Sequence, residues 1–141
     1  MKMNYKKGFT LIELLIVIAI IGILSSVVLA SLNKAREKGA NATIKANLQG
    51  IRPQAEIVYG SHNQTYTEVC NDPNIVTAIT SSIALSGDTG SIATRCNSAS
   101  DTWAANVLLK VPDNGNNYWC VDNTGVSKGE VDELNGATSC S

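Results

Sequence analysis

Hydrophobic positions fall into three regimes along the chain. From Leu14 to Leu32 they are nearly continuous: no residue is charged, and Gly22, Ser25, Ser26 and Ser31 are small interruptions in a run of Leu, Ile, Val and Ala. An uncharged run of about twenty residues predicts a helix long enough to span a bilayer. Beyond Leu32 the apolar character narrows to a stripe. Ala40, Ile44, Leu48, Ile51, Ala55 and Val58 recur every three or four residues, with Lys45, Asn47 and Arg52 off their face. That spacing is one side of a helix. Joined to the apolar run it predicts a single helix from Phe9 to Tyr59, about 75 Å long, whose second half packs on the rest of the chain. Pro53 cannot donate to Gln49 and predicts a kink, and Gly39 and Gly50 each weaken the helix interior by about 1 kcal/mol.

After Gly60 the signals shorten. Asp72-Pro73 is an N-cap followed by proline, which opens a short helix from Asn74 to Leu85. Gly87 to Ser100 reads as loop. Trp103 to Val111, Asn117 to Asp122 and Val126 to Val131 are candidate strands, separated by Asp-Asn-Gly-Asn and Asn-Thr-Gly turns. The predicted fold class is α+β: a long N-terminal helix, with a transmembrane half and an amphipathic half, packed on a small antiparallel sheet. Trp103, Tyr118 and Trp119 either fill the core of this head or form an adhesive patch, with core or subunit packing favoured.

Charge separates the same regions. Lys2, Lys6 and Lys7 precede the apolar run, and Lys34, Arg36 and Lys38 follow it with Glu37 as their one acid. After Ser61 nine acids face three bases. An acidic head lacks the clustered Lys and Arg that phosphate contacts need, which argues against a nucleic-acid face there. Four cysteines, Cys70, Cys96, Cys120 and Cys140, lie in this acidic part. An even number, no Cys-x-x-Cys pair and a single histidine, His62, suit a disulfide framework better than a metal site. The pairing Cys70–Cys96 with Cys120–Cys140 closes the shorter loops and is favoured, although spacing leaves the other connectivities open. Disulfides place the head outside the cytoplasm, and the three N-terminal lysines keep that end inside.

No catalytic constellation, cofactor or metal site is expected. His62 has no nucleophile or acid in a recognisable pattern around it, and no phosphate-binding glycine loop is present. Asp113-Asn-Gly-Asn and Asp122-Asn-Thr-Gly are oxygen-rich, yet they fit turns rather than a calcium loop. Asn41-Ala-Thr and Asn63-Gln-Thr match the glycosylation sequon. A cleavable secretory signal is disfavoured, because the apolar run is too long and lacks a good small-residue cleavage site.

Glu13 is the anomaly. It stands at the start of the apolar run with no cationic side chain beside it, where a lone carboxylate in hydrocarbon costs several kcal/mol. The stretch Gly8-Phe9-Thr10-Leu11-Ile12-Glu13-Leu14-Leu15 resembles the type IV pilin family closely from Lys6 to Ile23. The resemblance implies a leader, residues 1–8, removed between Gly8 and Phe9 by a prepilin peptidase that also N-methylates Phe9. It implies an assembly site of Phe9, Thr10 and Glu13, in which the glutamate pairs with the amine of Phe9 on a neighbouring copy. The helix divides at residue 32 into an assembly half, residues 9–32, and an amphipathic half, residues 33–60, followed by the head, residues 61–141. The expected partners are further copies of the chain, an inner-membrane assembly platform and an ATPase motor. The expected locations are first the inner membrane, then an extracellular filament for adhesion, motility or DNA uptake, so contact with nucleic acid stays open. A pseudopilin of a type II secretion system shares the same segment, and a membrane-anchored binding domain that never polymerises shares its hydropathy. Many pilins of bacteria have proline where Ala30 stands, which leaves open whether this helix melts on assembly.

Overall fold

The computed structural model describes residues 8–141; Lys2, Lys6, Lys7 and the expected leader up to Lys7 lie outside the described residues. In order, the elements are α1 (Leu11–Ser61), a 3-10 turn (Val69–Asn71), α2 (Pro73–Ser86), α3 (Ile92–Arg95), β1 (Cys96–Ser98), β2 (Trp103–Asp113), β3 (Asn116–Asp122) and β4 (Ser127–Glu130). The chain divides into two compact units between Arg36 and Glu37. In the first, α1 exposes every residue from Leu11 to Arg36.

The second unit owes its core to two periodicities. On α1 the inward positions are Asn41, Ile44, Leu48, Ile51, Ala55 and Val58, spaced so that each falls on one face. On β2 alternate residues Trp103, Ala105, Val107 and Leu109 point into the same core, with Val121 from β3 and Ile75 and Ile79 from α2. Trp103, the first residue of β2, is fully buried in this core. The sheet is antiparallel in the order β1-β2-β3-β4. On its other face Leu134 packs with Ala104 and Cys120. There Asn117, Asn106 and Asn97 donate their side-chain amides to the carbonyls of Val131, Asp132 and Ala137. The segment after β4 is thus held across the back of the sheet, which explains why Trp103 to Val107 are all buried. The architecture is the α+β arrangement expected from the patterning.

Three details correct the sequence reading. The stretch Gly87 to Ser100 is not all loop, because it holds α3 and β1. Its strand, Cys-Asn-Ser, has no hydrophobic alternation; it forms because its backbone pairs with β2 in the register Cys96↔Ala105 to Ser98↔Trp103. The head therefore has four strands rather than three. Finally, the first inward position of the stripe is Asn41, 7 % exposed, and Ala40 is only half-buried. α1 continues through Pro53, which lies on the exposed side.

Asn41 is inward because β2 needs it. Beyond Ala105 the outer edge of β2 has no strand partner from β1. Asn41 Oδ1 accepts the amides of Lys110 at 2.8 Å and Val111 at 3.3 Å, and Asn41 Nδ2 donates to the Val111 carbonyl at 2.8 Å. A side-chain amide here stands in for a peptide group, so buried backbone atoms are satisfied without another strand. The same bonds make Asn41 unsuitable as a glycosylation site, whereas Asn63 is exposed.

Asn41→Ala leaves those two amides and a carbonyl without their partner, at a cost of about 1–3 kcal/mol. In urea unfolding of the full chain in detergent micelles, the midpoint should fall in Asn41→Ala and fall less in Asn41→Asp, which keeps the acceptor. An unchanged midpoint in Asn41→Ala would remove this role.

Candidate assembly site

Gly8, Phe9 and Thr10 precede α1 in extended or irregular backbone, and all three are exposed. The side chain of Phe9 is 82 % exposed. Thr10 is the residue at which the helix begins: its carbonyl accepts the amide of Leu14 at 3.3 Å. Its hydroxyl accepts the Glu13 amide at 3.2 Å. Glu13 reaches back, its Oε2 accepting the Thr10 amide at 2.9 Å and the Thr10 hydroxyl at 2.7 Å. The two side chains therefore form a reciprocal cap that satisfies helix amides otherwise without partners. The signal for it is in the sequence as Thr-x-x-Glu before an apolar run, a pattern the reading of Glu13 as a solitary membrane carboxylate passed over.

The geometry gives Glu13 two properties at once. Within one chain its charge is held by neutral donors at the N-terminus of a helix, where a carboxylate is favoured. No cation pairs with it among the described residues. The neighbouring surface is apolar all round, with Ile12, Leu14, Leu15, Ile16 and Val17 each about half exposed or more. Among the described residues α1 is the one helix long and apolar enough to cross a membrane.

In the head, the structure joins Cys70 to Cys96 and Cys120 to Cys140, with Cα separations of 5.6 and 5.9 Å. The first ties the 3-10 turn to β1, and the second ties β3 to the segment that crosses the back of the sheet. Glu130 lies beside the second bridge; its sulfurs are bonded to each other, so they offer no thiolates to a metal. His62 Nδ1 lies 3.1 Å from the Val58 carbonyl and 3.0 Å from the Ser61 hydroxyl, the bonds of a helix end rather than of a catalytic pair.

Buried charge holds the remaining loops. Arg95 donates to both oxygens of Asp88, at 2.6 and 2.8 Å, and to Glu133 at 2.6 Å, with the Tyr118 ring 5.1 Å away. Gly90 lies against this group, and a Cβ there would run into the Arg95 guanidinium and displace it. Burial pushes the Asp88 carboxyl up, but the Arg95 bonds and the Gly90 amide outweigh it and hold the group below its ordinary range. Asp122 behaves alike: burial opposes the charge, and the amides of Cys140, Thr124 and Val126 with the Thr124 hydroxyl overcome it. Its four donors make Asp122-Asn-Thr-Gly a self-satisfied turn. The Asp113 turn is a two-residue hairpin loop, with Asn114 and Gly115 at φ 51° and 82°. Asp113 itself bonds Lys45 at 2.5 Å, and Lys45 Nζ lies 4.1 Å from the half-buried Trp119 ring.

A family model described as the prokaryotic N-terminal methylation motif matches residues 3–29, which include Gly8, Phe9, Thr10 and Glu13. Over 65 residues the chain is 45% identical to the type IV wide pilus major component PilA4 of Thermus thermophilus, an alignment that covers 46% of this chain and 49% of that protein. The chain is type IV pilin-like. It spans about half the length of the curated relative that it matches. No solved structure matches the pilin-like chain. Its N-terminal motif and apolar helix fit a membrane-anchored precursor.

Because Asp88 and Asp122 are harder to protonate folded than unfolded, the unfolded state binds more protons as pH falls, and acid favours unfolding. Their contribution is complete above the unfolded value of about 4 and is lost as pH drops through the lower folded values. Urea midpoints of the full chain should therefore be flat from about pH 7 to pH 5 and fall below about pH 4. Asp122→Asn should make that fall shallower; an identical slope would exclude Asp122 as a contributor.

Proposed function

We propose that the chain is the precursor of a filament subunit, cut between Gly8 and Phe9 and polymerised through the helices of many copies. The observation that carries this reading is Glu13, set into the start of a helix with uncovered apolar sides. Cleavage creates an amine at Phe9, and Phe9 and Thr10 present it beside a carboxylate that has no cation of its own. In the filament the amine of one copy meets Glu13 of another. A subunit inserted at the wrong depth leaves both charges unpaired in an apolar surrounding, which costs several kcal/mol and so enforces register.

Processing and N-methylation of Phe9 need a prepilin peptidase, and extraction from the membrane needs an assembly platform and an ATPase. In this reading the N-terminus is cytoplasmic before assembly and the disulfide-bonded head is outside. Residues 9–32 form the assembly half of the helix, residues 33–60 the half that supports the head, and residues 61–141 the filament surface. A pilus is favoured over a secretion pseudopilus because the relative is named as a pilus component.

Sheared surface material from cells making the wild-type chain should contain filaments whose subunit has lost residues 1–8 and carries a methylated Phe9 by mass spectrometry. Glu13→Ala should still be cut but lower filament yield by about 100-fold or more, as expected from an unpaired buried amine costing about 3 kcal/mol. Filaments of normal yield from Glu13→Ala would sink the assembly role, and an uncut wild-type chain would sink the processing role.

A further inference from the structure

The basic residues after the apolar run have no assigned purpose in this reading. Lys34 and Arg36 are exposed on α1 and make no ion pair among the described residues. In the head, by contrast, Lys45 and Arg95 are both paired with carboxylates. Two unpaired cations at the far end of a span oppose the usual tendency of Lys and Arg to mark the cytoplasmic end.

Helix length explains their position. Leu14 to Leu32 covers about 28 Å at 1.5 Å per residue, close to the roughly 30 Å of a hydrocarbon core. Lys34 and Arg36 then lie about 3 and 6 Å beyond its edge. The headgroup layer on each side is about 5–8 Å thick. Both cations thus fall among lipid phosphates, and their aliphatic stems can lie along the last apolar turn. We propose that Lys34 and Arg36 are a docking surface for anionic phospholipid headgroups of the leaflet in which the span ends, and that this contact sets the depth of the precursor. Depth at one end fixes it at the other: Glu13 and the Gly8–Phe9 bond come to the opposite interface, where water and a peptidase can reach them. The acids of a second copy are a rival partner. Lipid is favoured because the cations follow the run within about one helical turn, so whatever solvates the run lies beside them first. Glu37, next in sequence, opposes the attraction in part.

This inference rests on the membrane-anchored reading. Its test uses the full chain reconstituted in phosphatidylcholine vesicles with spin-labelled phosphatidylglycerol or spin-labelled phosphatidylcholine. Electron paramagnetic resonance then reads the relative association of the two labels with the protein. The wild-type chain should prefer phosphatidylglycerol by about 5- to 25-fold at low salt, about 5-fold per cation. The preference should collapse towards equality in Lys34→Gln/Arg36→Gln and at about 1 M salt, where screening acts over about 3 Å. Lys34→Arg/Arg36→Lys should retain it, and near-ultraviolet circular dichroism should report an intact head in every variant. Equal association of the two labels with an inserted wild-type chain would overturn the inference alone. A preference unchanged in the double Gln variant, or cross-linking of Lys34 to a head carboxylate of another copy in place of lipid contact, would also overturn it. Failure of the chain to float with the vesicles would overturn the membrane reading itself.

Discussion

Apolar surface that no described residue covers is the constraint on which this molecule is organised. From Leu11 to Arg36 every residue of α1 is exposed, and a bare helix of Leu, Ile and Val is expensive in water. It must be solvated by lipid or by other copies, and the exchange between those two environments costs little because both are apolar. Register cannot come from such contacts, since Leu against Leu is much the same at any depth. Only polar groups at the ends of the run can supply it: the capped carboxylate of Glu13 stands at one end, and Lys34 and Arg36, which pair with no acid among the described residues, at the other.

The head has a core of its own. Its core lies between the second half of α1, α2 and one face of the sheet, and the segment after β4 covers the other face. So small a unit has limited apolar area to bury. Two disulfides restrain the unfolded chain, while Arg95 gathers Asp88 and Glu133 from distant parts of the sequence. Breaking the buried Arg95–Asp88 pair at one member is costly because the other stays buried and unpaired, whereas Glu133 is exposed.

Features with a period were legible in the sequence. The stripe on α1, the alternation on β2 and the proline-initiated α2 all repeat at the spacing that their elements impose, and only their ends moved by a residue or two. Features built from distant partners were not. Asn41 meets β2 some 70 residues later, and no local pattern announces that an asparagine will serve as a peptide group. β1 is polar and three residues long; pairing with β2 creates it, and its own side chains do not. At the candidate site the types of residue were legible and the bonds were not. Glu13 stands out because of its charge, while the Thr10 contacts that hold it are local geometry that hydropathy does not report.

The side chains on the open margin of β2 also limit how two copies of the head can pair. Asn41 occupies the amides of Lys110 and Val111, and Asp88 Oδ2 lies 3.4 Å from the amide of Leu108. With those donors taken, an incoming strand from another copy finds no free ladder along that margin, and the route to cross-β stacking is closed there. Contacts of the head along that margin are then left to side chains rather than to backbone pairing.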